Sequence, residues 1–111
     1  RLLDTGPEHV RALNETGLSI SGDVRKRFIR VWAFLDPADI QETDLALIFV
    51  KHAQTGDAAG IAARLLGDAG YVMTLQNGMG NAEIIAEAVG RDRVICGTTA
   101  QGAMRLGHGH I

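Results

Sequence analysis

The strongest structural signal in the chain is the continuous apolar run Leu45-Ala46-Leu47-Ile48-Phe49-Val50. Because polar residues do not alternate with apolar ones in it, we expect a strand that is buried on both faces, as in a parallel sheet. A second run, Tyr71-Val72-Met73-Thr74-Leu75, and a third over residues 93–98 have the same character. Helical spacing separates the runs, and Gly67 and Gly70 should end the first helix. This order predicts an α/β fold with a doubly wound parallel sheet of the Rossmann type.

The segments before these runs are shorter. The chain should open with the end of a strand, followed by a helix that begins at Pro7 and stops at Gly17. Leu18-Ser19-Ile20 predicts a half-buried strand, Ser21-Gly22-Asp23 predicts a turn, and the residues from Val24 to Phe34 predict a pair of short exposed strands. The aromatic residues of that last segment are expected to be core or edge cover: Phe28, Trp32 and Phe34.

Composition restricts the class of protein. The 111 residues, 46% hydrophobic and 22% charged, suit a single globular domain. A formal charge of -2 argues against a nucleic-acid partner, and no apolar run has the length of a membrane span. Cys96 is the single cysteine, so an internal disulfide is excluded. We expect this thiol to pack within its strand, and the protein to work in the reducing cytoplasm.

Polar residues follow each of the three predicted strands. Lys51 comes after the first, Gln76-Asn77-Gly78 after the second, and Thr98-Thr99 after the third, with Gln101 close behind. Because the carboxyl ends of parallel strands meet at one edge of a sheet, we expect these residues to line a crevice that binds a ligand. The alternative is that each is a solvated polar residue at the point where its strand stops.

The loop Asn77-Gly78-Met79-Gly80-Asn81 carries two glycines between a strand and a helix. It does not fit the dinucleotide phosphate loop Gly-x-Gly-x-x-Gly, because Glu83 occupies the sixth position, where a small residue is needed. The glycines would let the backbone approach a ligand, beside an Asn77 amide that both donates and accepts hydrogen bonds. The alternative is a plain left-handed turn that leads into a helix.

Other polar side chains are candidates for binding or chemistry. Asp4 ends a strand that enters a helix, where a carboxylate accepts hydrogen bonds from an adenosine ribose and favours NAD; the alternative is capping alone. The Lys51 ammonium suits a phosphate, a ribose or a substrate carboxylate. His108 and His110 share one face of a predicted strand, but no third ligand is recognisable, so we predict no metal site. No Ser-His-Asp spacing identifies a catalytic residue.

Three segments have an order and spacing that resemble the ketopantoate reductase (2-dehydropantoate 2-reductase) family. They are Phe49-Val50-Lys51-His52-Ala53-Gln54-Thr55, Leu75-Gln76-Asn77-Gly78-Met79-Gly80-Asn81 and Gly97-Thr98-Thr99-Ala100-Gln101-Gly102-Ala103. The similarity covers essentially the whole chain. Members of this family reduce 2-dehydropantoate to pantoate with NADPH, on the pantothenate route to coenzyme A. The resemblance thus implies an oxidoreductase with a nicotinamide cofactor and a small 2-oxoacid substrate.

The resemblance also implies roles for individual residues. Lys51 and Gln54 would contact the cofactor near its ribose, and Asn77 would lie between the nicotinamide ribose and the substrate. Ala103 would meet the cofactor through its backbone. Many relatives carry an arginine for the 2′-phosphate of NADP at the position of Asp4. Because Asp4 departs from that pattern, either NADP or NAD is the expected cofactor.

Two parts of the family pattern have no counterpart in residues 1–111: the first strand with its Gly-x-Gly-x-x-Gly loop, and the C-terminal helical domain with its catalytic lysine. We therefore expect a partial NAD(P)-binding domain over residues 1–111, with no catalytic residue of its own. A sheet that lacks its central first strand has unpaired edges. The isolated chain should then be marginally stable or form a homo-oligomer.

Three other functions stay open at this point. A non-catalytic nucleotide-binding or regulatory module would keep the crevice without the chemistry. A reductase of another branched 2-oxoacid would keep both the cofactor site and the chemistry. A structural or assembly domain would bind no ligand and would show no thermal stabilisation by NADH or NADPH.

Overall fold

The computed structural model describes residues 1–22 and 25–111, which form two compact units. One unit consists of Arg1–Ile40 with Gln101–Ile111, and the other of Gln41–Ala100. Each has its own sheets and its own apolar core. The predicted turn at Ser21-Gly22-Asp23 and the predicted strand start at Val24 fall partly on residues 23–24, outside the described residues.

In the described part of the first unit, the α-helix α1 spans Pro7–Thr16, and a short 3₁₀ helix spans Pro37–Asp39. Helix α1 begins and ends as the sequence predicts, with proline in its first turn and Gly17 at its end. Gly17 has a φ of 77°, in the left-handed region that favours glycine. A Cβ atom there would lie 2.7 Å from the Ile29 carbonyl oxygen, so glycine is also required by the close approach of the neighbouring strand.

Short strands accompany α1 in residues 1–22 and 25–40: β1 (Leu2–Leu3), β2 (Leu18–Ile20), β3 (Arg27–Ile29) and β4 (Ala33–Phe34). β1 pairs in parallel with β4, and β2 pairs antiparallel with β3. The prediction of two exposed strands is confirmed for β3 and wrong for β4, because Ala33 is buried against α1 with Val10 and Leu13. Asn14 holds β4 in place, since its side chain hydrogen-bonds both the N–H and the carbonyl of Ala33 at 2.9 and 2.8 Å.

Two of the three aromatic residues that were predicted to be core or edge cover lie outside the core. Phe28 and Trp32 are 67% and 61% exposed, so neither belongs to the core. Each ring instead lies beneath a cation, Lys26 Nζ at 5.1 Å from Phe28 and Arg30 Cζ at 5.2 Å from Trp32.

The second unit carries the predicted strand and helix alternation. Its elements are β5 (Thr43–Ile48), α2 (Thr55–Leu65), β6 (Leu66–Thr74), α3 (Asn81–Val89) and β7 (Val94–Cys96). The strands lie in the order β5-β6-β7 and all pair in parallel. The predicted parallel α/β arrangement is thereby confirmed. None of the described helices is both long and apolar enough for a membrane crossing.

One apolar core lies between the sheet of the second unit and its two helices. Val72 and Ile85 are fully buried, and α2 contributes Ala59 and Ala62. Both helices cover the same face, as expected for two right-handed crossovers that advance in the same direction across the sheet. The prediction that β5 is buried on both faces is therefore wrong for the described structure. The opposite face exposes large apolar side chains: Leu45, Leu47, Phe49, Tyr71 and Ile95.

Gly67 and Gly70 lie within β6, not in a loop before it. The pairing of β5 with β6 is irregular between Thr43 and Leu45, where β6 accommodates extra residues as a bulge. A Cβ atom on Gly70 would approach the Thr43 carbonyl oxygen to 3.0 Å. The glycines therefore permit a close strand contact, a use that their sequence position alone does not reveal.

The position of Ile85 in the core predicts how much stability is lost when this side chain of α3 is shortened. Ile85→Ala should lower the free energy of unfolding by about 2–5 kcal/mol, because it removes a fully buried side chain beside Val72. Urea denaturation followed by circular dichroism measures the change. Glu87→Ala, an exposed substitution on the same helix, is the control and should change stability by less than about 0.5 kcal/mol. Equal effects of the two substitutions would contradict the assigned core.

The exposed sheet face predicts association of the isolated 111-residue chain. Contiguous apolar patches of this kind are rare on monomers, so the chain should elute as an oligomer in size-exclusion chromatography. Leu47→Lys, at a side chain that is 59% exposed, should shift it toward monomer without disturbing the core. Glu87→Lys, which introduces a lysine at an exposed polar position of α3, serves as the control. A monodisperse monomer with one cooperative thermal transition would contradict the expectation.

Candidate functional site

The candidate site lies at the carboxyl edge of the β5-β6-β7 sheet. The register places Ile48, Thr74 and Cys96 side by side as the last residues of the three parallel strands. The segments that follow them therefore leave the sheet at the same edge. Lys51, Asn77 and Thr98 all belong to these segments and are exposed, as the sequence predicts for a shared rim.

Gln76 joins the loop after β6 to the loop after β5. Its Nε2 donates to the Val50 carbonyl and to Thr55 Oγ1, the latter at 3.2 Å. Its Oε1 accepts from Thr74 Oγ1 at 2.9 Å, and its backbone N–H donates to that same hydroxyl. Both side-chain ends of Gln76 are thus used inside the protein, so this residue orders the rim.

Asn81 forms a second connection between the same loops. It is the first residue of α3 and only 3% exposed. Its Oδ1 lies 3.1 Å from Thr55 Oγ1 and 2.8 Å from His52 Nδ1. Its Nδ2 donates to the Asn77 carbonyl at 3.2 Å, with the Gly78 carbonyl at 3.5 Å. A single buried amide therefore binds both loops that carry the predicted site residues.

The loop of residues 77–80 turns the chain into α3 through glycine. Gly78 and Gly80 have φ values of 98° and 90°, which confirms a left-handed turn that leads into a helix. A Cβ atom at either glycine would meet nothing closer than Asn81 Nδ2 at 3.9 Å or His52 Cε1 at 4.0 Å. The glycines are thus needed for the turn itself, and the space beside their backbone is open.

Three of the five predicted cofactor-binding residues belong to the second unit. Lys51 is exposed and directly precedes the short 3₁₀ helix His52–Gln54. Its two neighbours in the chain are held by hydrogen bonds, Val50 to Gln76 and His52 to Asn81. Gln54 is exposed at the end of that short helix, directly before α2. Asn77 is exposed, and its carbonyl is held by Asn81.

The other two predicted residues, Asp4 and Ala103, belong to the first unit. Asp4 follows β1, and its Oδ1 accepts a hydrogen bond from the Gly6 N–H at 2.7 Å. This contact closes a local turn before α1 and is not a helix cap, because α1 has no side-chain cap hydrogen bond; it leaves Oδ2 as a second acceptor. Ala103 is exposed, in a segment without regular secondary structure.

Two remaining sequence interpretations are corrected. Residues 107–110 form a tight turn and not a strand, so His108 and His110 do not share a strand face. His108 instead pairs with Glu8 at 3.2 Å, and His110 with Ser21 at 2.9 Å. Within residues 1–22 and 25–111, no group of three or more metal-ligating side chains occurs. Cys96 is exposed and not packed, because β7 ends there at the edge of the sheet.

Sequence reasoning missed three residues of the site: His52, Thr55 and Asn81. Thr55 and Asn81 are both the first residues of helices that follow site loops. Small polar residues at two such helix starts were an available signal, because those positions return to the same edge of a parallel sheet. His52 has no comparable signal, since its role depends on a partner 29 positions away.

Parallel strands joined by crossover helices, with a polar rim at their carboxyl ends, define an α/β protein of the Rossmann type. The sequence matches the family described as ketopantoate reductase PanE/ApbA over residues 1–111, and the chain belongs to that family.

Among relatives, the 2-dehydropantoate 2-reductase of Halobacterium salinarum is 38% identical over 111 residues, which are 99% of this chain and 36% of that protein. That of Archaeoglobus fulgidus is 35% identical over 95 residues, 86% of this chain and 30% of that protein. The chain thus spans about a third of the length of these relatives.

Solved structures of similar fold include members of the same family. A PanE/ApbA family ketopantoate reductase from Ralstonia eutropha superposes with a TM-score of 0.86 at 30% identity, over 98% of this chain and 36% of that chain. The ternary structure of D-mandelate dehydrogenase with NADH and anilino(oxo)acetate superposes with a TM-score of 0.87 at 25% identity, with the same two coverages.

Proposed function

We propose that this chain is part of a 2-dehydropantoate 2-reductase, an oxidoreductase that reduces 2-dehydropantoate to pantoate with NADH or NADPH. The pathway would be pantothenate and coenzyme A biosynthesis, in the cytoplasm, where a free thiol such as Cys96 stays reduced. Membership in the ketopantoate reductase family supports this function. The named relatives and structural neighbours are reductases or dehydrogenases, which favours an enzyme over a non-catalytic nucleotide-binding module.

One observation carries the proposal: the side-chain amides of Gln76 and Asn81 hold the loops of Lys51 and Asn77 in a fixed relation at the carboxyl edge of a parallel sheet. Rossmann-type proteins bind dinucleotides at this edge. The open backbone at Gly78 and Gly80 leaves room for a ligand against the loop. A nicotinamide dinucleotide therefore fits the residues that are present.

Membership in the family suggests a role for each predicted site residue. Lys51 and Gln54 would bind the cofactor near its ribose, and Asn77 would orient the nicotinamide ribose against the substrate. Asp4 would accept hydrogen bonds from the adenosine ribose through the oxygen that Gly6 does not use, and Ala103 would contribute a backbone contact. The bound cofactor supplies the hydride, while the chain's own residues bind and orient.

A second candidate is the reduction of another 2-oxoacid. The similarity to D-mandelate dehydrogenase, whose ternary structure contains NADH and anilino(oxo)acetate, favours this candidate specifically. The two candidates share the cofactor site and differ in the substrate that the whole protein accepts. Steady-state rates with 2-dehydropantoate and with aromatic and branched 2-oxoacids, measured on the protein from its complete reading frame, distinguish them.

Lys51→Ala and Asn77→Ala test the proposed function. Loss of the Lys51 ammonium should raise the KM for the cofactor roughly tenfold to a hundredfold, because hydrogen bonds to charged groups contribute about 1.5–3 kcal/mol. Asn77→Ala should raise the KM for the 2-oxoacid as well. Lys26→Ala, at the only other lysine of residues 1–111, is the control and should leave both constants unchanged. Unchanged constants in the two site variants would refute the assigned rim.

Asp4 tests the choice between NADH and NADPH. Asp4→Arg should raise the preference for NADPH over NADH by roughly tenfold or more, because a carboxylate repels the 2′-phosphate and a guanidinium binds it. Asp4→Asn keeps an oxygen for the Gly6 N–H and removes only the charge, so it should give an intermediate preference. The ratio of kcat/KM for the two cofactors measures the effect, and an unchanged ratio in both variants would leave Asp4 a turn residue alone.

A further inference from the structure

The hydrogen-bond directions around Asn81 are determined by its partners. Its Nδ2 faces the carbonyls of Asn77 and Gly78, which can only accept. The amide orientation is therefore fixed, and Oδ1 is the atom that faces Thr55 Oγ1 and His52 Nδ1. Because an amide oxygen only accepts, both of these groups must donate to it.

The Thr55 hydroxyl satisfies this requirement independently. It accepts from Gln76 Nε2, whose amide orientation is fixed by the Val50 carbonyl on one side and the Thr74 hydroxyl on the other. The Thr55 proton is then free to point at Asn81 Oδ1, 3.1 Å away. The network is consistent in one direction only, since each hydroxyl in it has a single proton.

The consequence for His52 is a defined tautomer. Its Nδ1 must carry a proton in order to donate to Asn81 Oδ1 at 2.8 Å. In the neutral ring Nε2 then has a lone pair and no proton. The ring is exposed, follows Lys51 directly, and lies against Gly80. No other residue in the described part of the chain makes a hydrogen bond to its Nε2.

We propose that His52 is an additional ligand-binding residue of this site, whose Nε2 accepts a hydrogen bond from a hydroxyl group of the bound ligand. Lys51 and the neutral acceptor of His52 would therefore recognise different chemical groups of the ligand. The ammonium attracts an anionic or electron-rich group, whereas the Nε2 lone pair repels such a group and selects a hydroxyl. The hydroxyl belongs to a cofactor ribose or to the substrate. The identity of the ligand in this inference rests on the proposed function. The tautomer of His52 rests on the hydrogen bonds alone.

In this proposal Asn81 is a positioning residue, because it acts through His52 and not on the ligand. Its buried amide holds the imidazole by Nδ1 and holds the Asn77 loop by the carbonyl. Removal of the Asn81 side chain should therefore release the His52 tautomer as well as weaken ligand binding.

Nuclear magnetic resonance tests the tautomer without any ligand. The protein from its complete reading frame is labelled with ¹⁵N-histidine, and long-range ¹H–¹⁵N spectra are recorded at about pH 9, where an ordinary imidazole is neutral. The His52 signal is assigned by its loss in His52→Phe. We expect a protonated Nδ1 and an unprotonated Nε2, with a loss of this pattern in Asn81→Ala. A protonated Nε2 in the unaltered protein would overturn the proposal.

Binding and kinetics test the ligand contact. His52→Phe keeps a ring and removes the acceptor, so it should weaken binding roughly threefold to tenfold, the effect of one neutral hydrogen bond. A weaker affinity for NADH or NADPH alone identifies a ribose hydroxyl, and a raised KM for 2-dehydropantoate alone identifies the substrate hydroxyl. His108→Phe is the matched control, because that exposed imidazole pairs with Glu8.

The combined variants separate failure of this inference from failure of the proposed function. Asn81→Ala combined with His52→Phe should bind no more weakly than Asn81→Ala alone, because the two residues act as one unit. If Lys51→Ala weakens cofactor binding while His52→Phe changes neither constant, His52 is not a ligand contact and the reductase function stands. If the protein neither binds nor oxidises either nicotinamide, the proposed function fails and the ligand contact fails with it.

Discussion

Parallel hydrogen bonding between β5, β6 and β7 is the constraint on which the rest of the second unit depends. The register brings Ile48, Thr74 and Cys96 to one edge, and each strand must then be reached by a crossover through a helix. Right-handed crossovers that advance in one direction put α2 and α3 on the same face. The first residues of those helices, Thr55 and Asn81, consequently return to the edge where the strands end.

The buried polar side chains at that edge fix the conformation of the loops through hydrogen bonds. Thr55, Thr74 and Asn81 are almost completely buried, and unpaired polar atoms there would cost roughly 1–3 kcal/mol each. Their hydrogen bonds are therefore satisfied among themselves, with Gln76 and with loop carbonyls. Because these hydrogen bonds are costly to break, they fix the backbone on both sides of Lys51, while the Lys51 side chain stays exposed.

The two faces of the same sheet show the limit of an apolar pattern as a structural signal. Ala46 and Ile48 pack against the helix core, whereas Leu47 on the same strand and Phe49 directly after it are more than half exposed. A continuous apolar run records that a strand is suited to burial on both faces, and within the described residues α2 and α3 cover one of these faces. The same reasoning explains Cys96, which ends the edge strand β7 and is exposed despite its apolar neighbours.

Local pattern was sufficient for much of the fold and part of the site. Apolar runs, helix starts and stops such as Pro7 and Gly17, and the rule for parallel strand ends predict the α/β order and place Lys51 and Asn77 on one rim. The hydrogen bonds of His52, Thr55, Gln76 and Asn81, the burial of Ala33 and the bulge at Gly67 and Gly70 depend on partners far along the chain. Those partners meet only after strand register and helix packing are set, because a hydrogen bond needs its two atoms within about 3 Å and sequence spacing does not provide that distance.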